Sequence, residues 1–266
     1  MMTAGNGGAD DVPAPDGPAS GAPKGPITDT MLKPMLKRFY KAASISERAP
    51  FQILLDGRPV KTPAKRALVL PARACAEAIA AEWQAQDALI NPATMPLTRF
   101  ANTAIDAVSE TLGEVAADIV SYAGRDLLCY RAEAPSDLVC AQAAKWDPVI
   151  TWAEKTLHAR FRVVTGILPV DQPPAALSAV SEALQPHDAF RLTALHVMTT
   201  LTGSALLSIA HARGFLSAAD AWSAAHADED YQIALWGEDY EAADRRARRT
   251  TEFLAACRML DLLRPS

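Results

Sequence analysis

The chain has 266 residues and a formal net charge of −5, and half of its residues are hydrophobic. This composition supports a sizeable core in one large or two modest domains, and the acidic balance argues against nucleic acid as a partner. No apolar run approaches the roughly 20 residues that cross a bilayer, so membrane insertion is not expected. The four scattered cysteines favour buried thiols over a metal site or a disulfide framework.

Residues 1–30 are rich in glycine, proline, alanine and aspartate and contain no arginine. They have no apolar run typical of a secretory signal, and their acidity is atypical of a transit peptide. We therefore predict that they form a disordered tail.

A small antiparallel β domain is predicted over residues 36–71. Strand composition marks four segments: 38–45, 51–55, 58–62 and 67–70. Asp56-Gly57 is a two-residue hairpin signal between the second and third of them. So small a sheet needs further packing to be stable, and we expect it to pack on the rest of the chain or on a partner.

From Pro71 onward the hydrophobic period becomes helical. The predicted helices cover 72–86, 97–108, 111–124, 136–161, 173–184, 187–214, 217–237 and 238–260. The 187–214 segment divides at Thr202-Gly203, and a break is expected at Gly237. The prediction is an α+β chain in which a larger, nearly all-helical bundle over 72–262 follows the sheet.

Two groups of polar residues have both a structural and a functional interpretation. Arg99, Asn102 and Asp106 share one side of a helix and predict either a solvated face that caps neighbouring loops or a binding surface. Glu229 lies in the apolar stripe of the 217–237 helix, where a lone carboxylate is costly. It is either paired internally, for example with an arginine, or presented to a protein partner.

Catalytic signatures are missing from the sequence. The phosphate-loop, nucleophile-elbow and H-E-x-x-H patterns are absent, and the acids at 226–244 lack the spacing of a calcium loop. We therefore expect no cofactor and no metal. Two functional interpretations stay open at this point: an acid–base enzyme that uses the carboxylates of 228–241, and a structural adaptor protein.

Several blocks of sequence nevertheless occur in a specific combination and order. They are LDGRPVKTPAKRALVLP (55–71), EW (82–83), MPLTRFANTAID (95–106), DLLCYRA (126–132), WDP (146–148) and DEDYQIALWGED (228–239). Together they resemble the assembly chaperones of the catalytic head of the F-type ATP synthase, the Atp-twelve type. The resemblance covers the chain from about Phe39 to Leu260.

The resemblance implies a small β domain followed by an orthogonal helical bundle, and a chaperone without enzymatic activity or a nucleotide requirement. Its implied client is the free alpha subunit of the F1 head. The chaperone would cover the apolar surface that later packs against the beta subunit, and beta would displace it.

The resemblance also places an important acidic site in the late helical block, 228–241. Glu229, Glu238 and Glu241 are the available glutamates, and physical reasoning ranks the first two highest. The predicted partner-binding residues are Glu229, Gln232, Trp236, Glu238, Asp239 and Glu241.

Mitochondrial members of this group carry a presequence, from which the acidic first 30 residues depart. We therefore predict a bacterial cytoplasmic protein, with the mitochondrial matrix as the alternative. The oligomeric state stays open.

Overall fold

The computed structural model describes residues 36–264, so the predicted tail over 1–30 lies outside the described residues. A small antiparallel β region is followed by a larger helical part, which confirms the predicted α+β class. The strands are β1 (Ala43–Ile45), β2 (Phe51–Leu55), β3 (Arg58–Pro59), β4 (Val69–Leu70), β5 (Tyr130–Arg131) and β6 (Val164–Thr165). The helices are α1 (Arg73–Gln84), α2 (Pro96–Asp106), α3 (Leu112–Ala123), α4 (Ser136–Trp152), α5 (Pro174–Leu184), α6 (Ala189–Thr202), α7 (Ala205–Ala212), α8 (Ala218–Ala225), α9 (Ala227–Trp236) and α10 (Tyr240–Leu262).

Strand β2 is the centre of the N-terminal sheet. Strand β1 pairs antiparallel with it, with Ala43 opposite Leu55, while β3 and β4 pair with its two ends. The predicted hairpin turn is confirmed, since Asp56 and Gly57 have φ values of +47° and +78°. Two positive φ angles in a two-residue loop match the right-handed twist of the flanking strands.

The sheet packs on α1 and shares a core with the helices. Ile53 of β2 is fully buried in the same hydrophobic cluster as Ile79 of α1 and Leu195 of α6. Leu55 instead joins a small second cluster with Tyr40 and Ile90. The division of the chain into a 36–71 domain and a 72–262 domain stays a prediction.

Helix α6 lies at the centre of the helical part, where it packs against α2, α3, α7 and α10. It ends at Gly203, whose φ of +69° lies in the left-handed region that favours glycine. The predicted division of the long apolar segment at Thr202-Gly203 is therefore confirmed.

The predicted helix over 217–237 is instead two helices. Helix α8 ends at Ala225 and α9 begins at Ala227, and His226 between them has φ −113° and ψ 24°. The break expected at Gly237 is confirmed, because its φ of +85° and ψ of 169° end α9.

Candidate partner-binding site

The most acidic stretch of the chain forms the junction of α9 and α10, outside the core. In α9 only Ala227 is buried, and the buried residues of α10 begin at Phe253. Residues 232–244, which we call the arm, are almost all exposed. Most helical stability in proteins comes from packing an apolar face. The conformation of an exposed arm therefore depends on the contacts that hold its base.

Two aspartates fasten the base of the arm. Asp228 Oδ1 accepts a hydrogen bond from the buried Gln142 Nε2 at 2.7 Å. Asp230 pairs with the Arg246 guanidinium, and its other oxygen lies 3.6 Å from Lys145 Nζ. Since these partners belong to α4 and α10, the two acids join three helices and are structural.

Glu229 differs from the sequence prediction. Its side chain is 53% exposed, so its predicted place in an apolar stripe is wrong. Its Oε2 lies 3.9 Å from His226 Nε2, and its Oε1 lies 3.9 Å from Arg249 Nη1, at the outer limit of an ion pair with the arginine. The reason is the interruption at His226, which shifts the helical phase so that the residues on its two sides no longer share one face.

His226 itself fills the corner between α8 and α9. Its ring centroid lies 3.8 Å from that of Trp222, and its Nδ1 lies 2.8 Å from the Trp222 carbonyl oxygen. Burial lowers the pKa of His226, although the hydrogen bond to Trp222 opposes that shift. The imidazole is therefore neutral at pH 7, with Nδ1–H donating to the carbonyl, and it serves as a packing element at the base of the arm.

The outer end of the arm presents three large apolar side chains. Leu235 is 55% exposed, Trp236 is 82% exposed and Tyr240 is 85% exposed. They flank Gly237, whose backbone conformation is essentially restricted to glycine. Exposed aromatic side chains at one point are typical of the anchors of protein–protein interfaces.

The predicted acids are close to these apolar side chains in the sequence. Asp239 caps α10, because its Oδ1 accepts a hydrogen bond from the Ala242 amide at 2.9 Å. Glu238 and Glu241 are exposed. Of the predicted site residues, Gln232, Trp236, Glu238, Asp239 and Glu241 lie on the arm, and Glu229 lies at its base.

Leu235 and Tyr240 are the members of this surface that the sequence analysis does not include. The available signal is their position on either side of a helix-breaking glycine, in a segment too acidic to be buried. Apolar residues in such a segment are expected to stay exposed, and that expectation points to a binding surface.

Glu82, from the EW block (82–83), connects α1 to the start of α2. Its carboxylate accepts hydrogen bonds from the Leu97 and Thr98 amides, both at 2.8 Å, and from the Thr98 hydroxyl at 2.7 Å. It thereby satisfies the free N–H groups at the start of α2, and burial raises its pKa.

The MPLTRFANTAID block (95–106) makes a second set of contacts between elements. Asp106 accepts hydrogen bonds from the Thr62 hydroxyl at 2.6 Å and from the Ala64 amide at 2.9 Å. Arg99 pairs with Glu252 of α10 at 2.6 Å. The capping interpretation is therefore confirmed for Asp106, and these motif blocks hold the sheet and helices together.

The carboxylates of 228–241 do not converge in a pocket. Asp228 and Asp230 are bound to neighbouring helices, while Glu238 and Glu241 lie apart on open surface. This arrangement does not favour the acid–base enzyme. Across residues 36–264, no three His, Cys, Asp or Glu side chains are grouped so that they could hold a metal ion.

The comparisons agree with a protein-binding interpretation. The family model described as ATP12 chaperone protein matches residues 37–154. The crystal structure of Atp12 from Paracoccus denitrificans has a TM-score of 0.81 and 43% sequence identity, covering 86% of this chain and 98% of that chain. A point mutant of the same Paracoccus protein gives the same values. The Atu1473 protein from Agrobacterium tumefaciens has a TM-score of 0.84 and 44% identity, covering 92% of this chain and 93% of that chain.

The fold and these similarities place the chain among assembly chaperones. The chain belongs to the ATP12 chaperone family, whose members act in ATP synthase assembly. In the part of the chain that the structure describes, no helix has both the length and the apolar character to cross a membrane.

Proposed function

We propose that the chain binds the free alpha subunit of the F1 head of ATP synthase through the arm. The arm covers the alpha surface that later contacts the beta subunit, and beta releases the chaperone by competing for that surface. As a bacterial protein it would act in the cytoplasm, where the subunits are made. Family membership and the resemblance support the choice of client.

The observation that carries the proposal is the exposure of Trp236 and Tyr240 on an arm whose base is fastened. Exposing such side chains in the free protein is unfavourable unless a partner covers them, because each buries on the order of 150–250 Å² when enclosed. The surrounding carboxylates of Glu238, Asp239 and Glu241 add charge that fits a basic rim on the client.

The test is protection of purified alpha subunit from aggregation, together with co-purification in the absence of beta. Replacing Trp236 and Tyr240 by alanine is expected to abolish both activities while leaving thermal stability unchanged. Leu254→Ala is the matched control, since Leu254 is also exposed on α10 but lies outside the arm. Failure of the unaltered chain to bind alpha would refute the proposal.

A second pair of variants separates binding from folding at the base of the arm. Glu229→Gln should change the free energy of unfolding by less than about 1 kcal/mol, because exposed ion pairs contribute little, and yet weaken protection of alpha. Asp230→Asn should lower stability, since it removes the partner of Arg246. If Glu229→Gln protects alpha as well as the unaltered chain, Glu229 is not a client contact.

A further inference from the structure

A second exposed apolar feature lies in the loop that follows β6. Ile167 is 93% exposed and Leu168 is 79% exposed, and they sit between Gly166 and Pro169. We call residues 166–170 the apex loop. Two adjacent aliphatic side chains with almost no cover are unusual on a free protein surface, and the client-binding arm does not include them.

The apex loop is held in place at its base. The Gly166 amide donates to the Arg131 carbonyl of β5 at 2.8 Å. Gln172 is buried and closes the loop, because its Oε1 accepts from the Arg162 amide at 2.8 Å and its Nε2 donates to the Arg162 carbonyl at 2.9 Å. A loop fixed in this way loses little conformational freedom on binding.

A short chain of hydrogen bonds connects the apex loop to the base of the arm. Strand β6 runs parallel to β5, so the apex loop leaves the sheet beside Ala132. The Ala132 amide donates to Gln142 Oε1 at 2.8 Å, and Gln142 Nε2 donates to Asp228 at 2.7 Å. One buried amide side chain therefore separates the strand pair that carries the loop from the helix that carries the arm.

The chemistry of the apex loop indicates the kind of partner. Residues 166–170 read Gly-Ile-Leu-Pro-Val and carry no charge and no aromatic ring. Attachment to an anionic membrane surface usually relies on clustered lysine and arginine, with aromatic residues at the interface. The loop instead fits an apolar patch on another protein.

We propose that the apex loop is a second anchor for the same client that the arm binds, so that client contact extends from the arm across the β5–β6 pair. The proposal rests on the proposed function, because the client is the alpha subunit in both. Ile167 and Leu168 insert into the apolar interface of the client, and the linked bases of the two features hold both contacts in a fixed relation.

The test measures the affinity of the full-length chain for purified alpha subunit by calorimetry. Ile167→Ser combined with Leu168→Ser is expected to weaken binding by roughly tenfold or more, given the value of burying two aliphatic side chains. Leu112→Ser, at an exposed leucine on α3, is the matched control and should bind as the unaltered chain does. Thermal melting checks that the variants are folded.

A second measurement does not depend on the serine variants. Leu168→Cys, made together with Cys140→Ser because Cys140 is exposed, carries an environment-sensitive fluorophore. Its emission should shift to the blue when alpha is added, because the loop leaves water. Unchanged emission upon binding would overturn the proposal.

The outcomes separate this inference from the proposed function. If the unaltered chain binds alpha and the loop variant binds equally well, the second anchor is refuted while the arm's function stands. If the unaltered chain does not bind alpha, both fail. The loop variant could instead keep its binding to alpha but lose self-association or binding to phosphatidylglycerol vesicles. The loop would then serve a different partner, and the proposal would be overturned.

Discussion

At the scale of single residues, Asp126 is a titratable side chain in the core that lies outside the candidate site. It is fully buried, where Oδ1 accepts from the Leu128 amide at 3.1 Å and Oδ2 accepts from the Leu206 amide at 3.0 Å. The carboxylate thus joins the segment after α3 to the start of α7. Burial raises the pKa of Asp126 to about 6, although these hydrogen bonds oppose the shift.

This raised pKa predicts a pH-dependent stability. Because the folded chain holds the Asp126 proton more tightly than the unfolded chain, whose reference pKa is 3.8, the contribution of protonation is complete below about pH 3.8. It is lost as the pH rises through about 6, and amounts to about 3 kcal/mol. Asp126→Asn removes the titration, so the unaltered chain should lose stability relative to the variant between pH 4 and pH 7. Urea denaturation across this range provides the measurement, and a constant difference would contradict the assignment.

Residue-scale predictions from the sequence succeeded where the cause is local. Ser217 is an example of a local cause, because a serine directly before a helix can cap it, and its side chain does accept a hydrogen bond from the Asp220 amide. The prediction that Glu229 lies in an apolar stripe was wrong because it assumed one unbroken helix over 217–237. At this interruption the Trp222 ring contacts both His226 and Phe253, which is buried in the distant helix α10. No local signal in the sequence predicts the contact between Trp222 and Phe253.

At the scale of elements, the sequence could predict the breaks that a glycine imposes. The hairpin at Asp56-Gly57, the division at Gly203 and the end of α9 at Gly237 all use a positive φ. The extents of the strands were less predictable, since β3 and β4 each contain only two residues. Their pairing is completed by backbone contacts across the loop between them, such as the Leu68 amide donating to the Val60 carbonyl at 3.0 Å.

The arm depends on one such glycine, and this dependence gives a second prediction. Gly237→Ala should disturb the arm, because its φ of +85° and ψ of 169° cost a residue with a side chain about 1–3 kcal/mol. An added Cβ would meet no atom within 4 Å, so the whole effect lies in the backbone. Amide exchange in residues 232–242 should accelerate roughly tenfold while exchange in α6 stays unchanged.

Gly113 supplies the control for that substitution. It also has open space around an added Cβ, but it lies inside α3 without a positive φ. Gly113→Ala should therefore leave exchange in the arm unaltered and raise the free energy of unfolding by up to about 1 kcal/mol. Equal exchange in the arms of Gly237→Ala and the unaltered chain would show that the arm does not need this conformation.

At the scale of the whole molecule, the sequence blocks that carry the resemblance have two different uses. Glu82 and Asp106 connect the sheet, α1 and α2, while Trp146 donates its indole N–H to the Ala224 carbonyl at 2.7 Å and ties α4 to α8. The late acidic block instead forms α9 and the start of the arm, whose residues are almost all exposed. The apex loop lies outside all of these blocks, which is why the sequence analysis does not include it.

These hydrogen bonds between elements predict that the sheet and the helices unfold together. Asp106→Ala removes the acceptor of the Thr62 hydroxyl and the Ala64 amide, and should lower the free energy of unfolding by about 2 kcal/mol. Because Ile53 of β2 shares one core with α6, amides of β2 and of α6 should lose protection by the same amount in hydrogen exchange at increasing denaturant. Asp87→Ala, at an exposed aspartate in the loop after α1, should alter neither. Loss of protection in β2 alone would show that residues 36–71 form a domain that opens independently.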